Sequence, residues 1–205
     1  MSICIGIVSP GAMGSALGRA WRRGGARVVA TTAGRSPRTG QLAGAAGLEL
    51  LPDLDAVVAT AQIVVSVTPP DRAVDAAGRI ATAAQRAGAT PLVADLNATS
   101  PATVQRIATE VLAPAGLELV DGAISGPPPA DGARTILYLS GPSARRLGDL
   151  DAPNVDARVV GDRGIGRESA PTAGDGRQQV RAVGGRNARD RGDPGCGRRA
   201  APSVE

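Results

Sequence analysis

With 205 residues the chain is one domain, or one domain and an appendage. Its apolar fraction of 42% is almost wholly Ala, Val, Leu and Ile, with no Phe, one Trp and one Tyr, and such aliphatic cores suit α/β folds. The net charge of +4 comes from 23 arginines against 19 acids, with no lysine and no histidine, which removes two common catalytic side chains.

The arginines interleave with acids and lack aromatic platforms, so nucleic acid is not an expected partner. Cys4 falls in the first strand, where a buried free thiol is expected, and Cys196 lies in a polar tail. No disulfide framework or metal-ligand spacing follows from two such distant cysteines. With no signal peptide and no apolar run near 18 residues, no membrane contact and a cytoplasmic location are expected.

The chain opens on IGIVSPGAMGSALG (5–18), a buried strand through Ile5, Ile7 and Val8 that runs into a glycine turn and a helix over 13–23. Set against the dinucleotide fingerprint G-x-G-x-x-G, the register is Ser9-Pro10-Gly11-Ala12-Met13-Gly14, with serine in place of the first glycine. Gly11 would let backbone approach a pyrophosphate, Gly14 would let the helix pack on the strand, and the helix N-terminus would offer free N–H groups. Taken alone, the stretch is equally consistent with an ordinary strand–turn–helix.

A second strand over 27–32 leads into Thr32-Ala33-Gly34-Arg35-Ser36-Pro37-Arg38. An acid after this strand would bind the 2′-hydroxyl of NAD, but none precedes Glu49. Arg35 and Arg38 can instead clamp a phosphate, with the Ser36 hydroxyl donating to it, which reads as NADP preference. The alternative is a pair of exposed loop arginines in an arginine-rich chain.

Further strands are predicted over 48–51, 62–67, 91–96, 118–124, 134–140 and 155–160. Between the earlier ones lie helices over 39–46, from a cap at Asp53 through Ala59, from Asp71 to about Arg86, and from Ser100-Pro101 to about Val111. This alternation predicts a Rossmann-type α/β fold with a doubly wound, mostly parallel sheet. Ligands bind such sheets at the carboxyl ends of the strands, where Gly11, Arg35, Thr68, Asn97 and Ser125 fall.

With those residues placed, the chain resembles the β-hydroxyacid dehydrogenase family, which includes 3-hydroxyisobutyrate and 6-phosphogluconate dehydrogenases. The resemblance rests on GIVSPGAMG, SVTPP (66–70), ADLNATSP (94–101), DGAISGPPP (121–129) and LYLSGP (137–142), in the family's order. It implies that the Ser9–Gly14 turn holds the pyrophosphate and that Arg35 and Ser36 hold the 2′-phosphate. Thr68 and Pro69 would lie along the nicotinamide, and Asn97 near the nicotinamide ribose and substrate. Ser125 and Gly126 would meet the carboxylate of a small hydroxyacid-like substrate. A second glycine often follows there in the family; Pro127 to Pro129 stand here instead. On the residues alone, the plainer reading of Asn97 and Ser125, a loop amide and a turn hydroxyl, is the favoured one.

The family's general base is a lysine in a second, all-helical domain, through which an intact parent would also form a homodimer. This chain has no lysine, and arginine cannot serve as base because it does not lose its proton. Residues 161–205 hold ten Gly and nine Arg, with only Ile165, Val180, Val183 and Val204 as large aliphatics. Such a segment cannot offset its chain entropy by burial, so a disordered tail is expected. It reads either as a native basic tail or as the product of a reading-frame shift near Asp162. The expected organisation is a Rossmann NADP-binding domain over 1–160 and a Gly/Arg-rich tail over 161–205. The expected function is an NADP-dependent oxidoreductase of the hydroxyacid type, weakly active or inactive as written. The alternative is a non-catalytic NADP(H)-binding remnant or regulatory module.

Overall fold

The computed structural model describes residues 2–161. Its strands are β1 (Cys4–Ile7), β2 (Arg27–Ala30), β3 (Glu49–Leu50), β4 (Ile63–Ser66), β5 (Leu92–Asp95), β6 (Leu119–Ser125), β7 (Thr135–Ser140) and β8 (Val155–Gly161). The α-helices are α1 (Ala12–Arg23), α2 (Pro37–Ala45), α3 (Leu54–Thr60), α4 (Ala73–Ala87), α5 (Pro101–Arg106) and α6 (Ala144–Gly148). The strands form one sheet in the order β3-β2-β1-β4-β5-β6-β7-β8. Every pairing from β3 through β6 is parallel, β7 joins β6 antiparallel, and β8 follows β7 in parallel. This is the doubly wound, mostly parallel Rossmann-type sheet expected from the alternation. Strand order reverses between β1 and β4, which opens a crevice at their carboxyl ends.

The sheet is covered on both faces, so β1, β4 and β5 are buried from end to end and are largely aliphatic, with β4 closing on Ser66 and β5 on Asp95. On one face Leu17, Ala20 and Trp21 of α1, Ala43 of α2 and Leu147 of α6 pack on Ile5, Ile7, Ile63 and Val65. On the other, Val57 and Val58 of α3, Ala77, Ile80 and Ala84 of α4, and Val104 of α5 pack on Val29, Val64, Val93 and Leu119. Each fully buried aliphatic contributes about 1.5–3 kcal/mol. The alanine-rich inner face of α4 lets that helix lie close to the strands.

Two helix starts follow from local chemistry. Asp53 Oδ1 accepts the Ala56 N–H at 2.8 Å, and Ser100 Oγ accepts that of Thr103 at 3.2 Å, with Pro101 at the first helical position. Elsewhere the chain departs from the periodicity reading. Pro70–Arg72 forms a 3₁₀ turn ahead of α4, so the α-helix proper begins at Ala73 rather than Asp71. Beyond α5 the helix widens into a π-turn segment over Ile107–Leu112. The five residues of α6 are too few to show a period in the sequence.

Cys4 is buried and unpaired, and its burial pushes the thiol pKa up. Among the described residues, no helix is long and apolar enough to cross a membrane. The readings of residues 162–205, including disorder, a frame shift and the position of Cys196, lie outside the described residues.

Candidate functional site

The crevice edge is built from the ends of β1, β2, β4 and β5. After Ile7 the chain stays extended for one residue, with Val8 N–H donating to the Val65 carbonyl at 3.1 Å, and then turns. Gly11 N–H donates to the Ser9 carbonyl at 2.8 Å, and the Ser15 hydroxyl donates to the Pro10 carbonyl at 2.6 Å. The turn is thus held by bonds to its own backbone. Gly11 sits at the N-cap of α1 in extended conformation, and no side chain caps the helix. The first-turn N–H groups have no intrahelical partner and carry the positive end of the helix dipole.

The two glycines of the turn do different work. A Cβ on Gly14 would run into the Ser9 carbonyl oxygen and press on Ile7 Cγ2, so Gly14 is required by packing. A Cβ on Gly11 would meet nothing within 4 Å. The fold therefore does not need glycine at 11, and the space beside it is open to a ligand.

After β2 the chain makes a tight turn, with Arg35 N–H donating to the Thr32 carbonyl at 3.0 Å. The turn sends Arg35 back across the crevice, where its Nη2 lies 3.5 Å from the Val8 carbonyl at the end of β1. Ser36 and Arg38 are exposed, and the Ser36 hydroxyl shares a 3.2 Å hydrogen bond with that of Thr39. Glu49 is committed elsewhere, in a two-pronged pair with Arg27 at 2.6 and 2.8 Å. Beside the end of β2 a groove of about 730 Å³ runs between α3 and α4, lined by Thr31, Ala33, Asp53, Asp75 and Arg79 among others.

The other end of the crevice is assembled around Asn97. Its side chain is buried and fully used: Oδ1 accepts the Thr68 N–H at 2.6 Å, while Nδ2 donates to Ser66 Oγ at 3.2 Å and to Asp95 Oδ1. Asn97 thus stands where the loop after β5 meets the loop after β4, but its amide faces inward and acts by fixing Thr68. Pro69 is exposed beside it, and the half-buried Thr68 leaves its Oγ1 without a partner.

Beneath this bond lies a feature that motif reading passed over. Ser66, Asp95, Asp121 and Ser140 are register partners across β4, β5, β6 and β7, a polar rung at the end of the sheet. Burial and the neighbouring Asp121 push the Asp95 pKa up to about 7, and burial pushes Asp121 up to about 6. The signal available in the sequence was an acid directly after the aliphatic residues of two successive strands, LVAD and LVD.

Ser125 and Gly126 are set apart from this cluster. Since Asp121 is level with the end of β5, the four residues that follow extend β6 roughly 13 Å further at strand rise. Ser125 is exposed at the tip of that arm. Gly126 has φ +103, and a Cβ there would press on the Arg134 carbonyl at 2.8 Å. Thr135 Oγ1 donates to the Pro127 carbonyl at 2.5 Å, which braces the proline run.

A strand–glycine turn–helix at the switch point of a doubly wound sheet, with an open cradle at Gly11, defines a dinucleotide-binding domain. The model of the NAD-binding domain of 6-phosphogluconate dehydrogenase matches residues 4–147, and the chain belongs to that family. Among solved structures it is similar to a conserved protein of unknown function described as resembling 3-hydroxyacid dehydrogenases. That match has 26% identity and a TM-score of 0.65, and covers 80% of this chain and 59% of the other. It is also similar to Mycobacterium tuberculosis 3-hydroxyisobutyrate dehydrogenase with L-serine, at 21% identity and TM-score 0.64, covering 81% and 57%. A third is an imine reductase variant from Myxococcus stipitatus in complex with NAD⁺, at 20% identity and TM-score 0.62, covering 90% and 62%. The chain therefore spans less than two thirds of the length of these structures. No curated protein matches it.

Proposed function

We propose that residues 1–160 form an NADP(H)-binding domain serving hydride transfer to or from a small hydroxyacid or semialdehyde. One observation carries the cofactor choice: Arg35 reaches back to the Val8 carbonyl beside the open Gly11 cradle, and the nearest acid downstream, Glu49, is tied to Arg27. A 2′-phosphate there meets the Arg35 cation, with Glu49 tied to Arg27.

In this reading the first-turn N–H groups of α1 receive the pyrophosphate, with Ser9, Pro10, Ala12 and Met13 shaping the turn around Gly11 and Gly14. Arg35, with Ser36 beside it, receives the 2′-phosphate, and the groove between α3 and α4 lies on the adenosine side. Thr68 and Pro69 border the nicotinamide, held in place by Asn97. The bound nicotinamide supplies the hydride acceptor or donor. Ser125 and Gly126 on the β6 arm offer a hydroxyl and backbone to a substrate carboxylate.

A second reading, a cofactor-binding module without turnover, is favoured by the absence of lysine and histidine from the chain. A positioned general base or acid contributes about 10²–10⁴ in rate. Both readings are tested by titrating NADPH and NADH into the purified chain and into Arg35→Ala, then assaying short 3-hydroxyacids and their semialdehydes. NADPH binding at least tenfold tighter than NADH, lost in Arg35→Ala, supports the cofactor assignment. Equal affinities would overturn it. Turnover above background decides between enzyme and module.

A further inference from the structure

The polar rung beneath Asn97 holds more carboxylate than its surroundings can keep ionised. Asp95 is 97% buried, and its Oδ2 has no hydrogen-bond partner. Its Oδ1 is already taken by one hydrogen of Asn97 Nδ2, and the other goes to Ser66 Oγ, so the Asn97 side-chain amide has no donor left for Oδ2. Asp121 is the register partner of Asp95 on the next strand, about 4.8 Å away across the ladder and pointing to the same face. Among the described residues no cation neighbours Asp95; the bonds that favour its charge come from Ser66 and Asn97, and the helices packed on that face bring apolar side chains. From α4 it receives Ala73, Ala77, Ile80 and Ala84, and from α5 and its π-turn continuation Val104, Ile107 and Leu112. Ser66 and Ser140 flank the pair on β4 and β7 with hydroxyls only.

Two carboxylates at facing positions of adjacent strands, Asp95 buried and Asp121 partly so, repel each other and disfavour joint ionisation. A proton on Asp95 Oδ2 would remove one of the two charges and still leave Oδ1 to accept from Asn97. We propose that Asp95 and Asp121 share one proton, and that this acid–carboxylate pair is the positioning device that fixes Asn97 and, through it, the Thr68 backbone at the edge of the crevice. The part played by Thr68 beside a nicotinamide rests on the cofactor reading above; the shared proton does not. Removing the proton places a second negative charge under Asn97, pushes Asp95 away from Asp121 and loosens the loop carrying Thr68 and Pro69.

The test uses the full chain, labelled for NMR at carboxyl carbons and backbone amides, and titrated from pH 4 to 9 without cofactor. The Asp95 carboxyl should titrate with a midpoint near 7, and the Thr68 amide should move with the same midpoint. Asp121→Asn should lower the Asp95 midpoint, and Asp95→Asn should hold the Thr68 amide near its acid-form position throughout. An Asp95 midpoint near 4, or a Thr68 amide that ignores it, would overturn the proposal; both are read on the unsubstituted chain if the variants fail to fold. A second arm measures NADPH affinity of the unsubstituted chain relative to Asp95→Asn, a ratio in which the titration of the ligand's own phosphate cancels. That ratio should fall about five- to tenfold between pH 6 and 8.5, and a constant ratio would sever the pair from the cofactor site. Failure of NADPH to bind at any pH would remove the cofactor reading, while the carboxyl titration still decides the shared proton.

Discussion

The two ends of the crevice are held by opposite means. At the turn after β1 the backbone closes on itself, and its outward donors are left free, with empty space beside Gly11. At the loops after β4 and β5 one side chain, Asn97, ties three partners together and is fully used in doing so. The first end keeps donors in reserve for an anion; the second uses its donors to hold a surface in place. Alteration at the open position, Gly11, should lose binding without losing stability, whereas alteration at a packed or tied position, Gly14 or Asn97, should lose both.

Gly14→Val is expected to have the largest effect, because the new side chain collides with backbone at Ser9 rather than with a movable side chain. Overpacking of this kind costs about 1–3 kcal/mol or more, and both thermal unfolding and NADPH titration should show it. Gly11→Ala separates the two properties. Its φ of −70 suits alanine and nothing obstructs the Cβ, so the melting temperature should hold while NADPH affinity falls by at least an order of magnitude. A normal affinity in that variant would contradict the open-cradle reading.

Asn97→Ala should leave the Thr68 N–H without its acceptor and take the donor from Asp95. Orphaned buried groups cost about 1–3 kcal/mol, so stability should fall with a smaller loss of NADPH affinity than at Gly11. The pH dependence of unfolding reads the carboxylate pair directly. Burial raises Asp95 to about 7 and Asp121 to about 6 in the folded chain, above the ordinary aspartate value of 3.8, so both bind protons more tightly folded than unfolded. Their contribution to stability is therefore greatest at low pH and is lost as pH rises from about 4 through 7. Denaturant melts across that range should show the decline, and Asp95→Asn should flatten it.

The sequence carried the fold further than it carried the site. Aliphatic runs at β1, β4 and β5, the caps at Asp53 and Ser100, and the glycine turn are local signals, each readable within a few residues. The inward turn of the Asn97 amide was not readable, because its partners come from β4, β5 and the loop after β4, and only the parallel register brings them together. The same holds for Asp95 and Asp121, which lie 26 positions apart in the chain and become neighbours through strand pairing. Arg35 was nameable as a candidate from the missing acid after β2, whereas its reach to the Val8 carbonyl is a tertiary fact. The β6 arm shows the limit in the other direction. The strand over 118–124 and the candidate Ser125 were legible, but only the pairing with β5 shows that Asp121 marks the end of β5 and that Ser125 stands beyond it.

The most direct test of the crevice reading is to record amide and arginine side-chain NMR spectra of the full chain with and without NADPH. The expected result is a set of shifts concentrated at Ser9 to Gly14, at Arg35 and Ser36, and at Thr68, with the hairpin around Asp131 unmoved. NADH should reproduce the shifts at the turn and weaken those at Arg35. Shifts confined to other parts of the chain, or none at saturating NADPH, would contradict the assignment of this edge as the cofactor site.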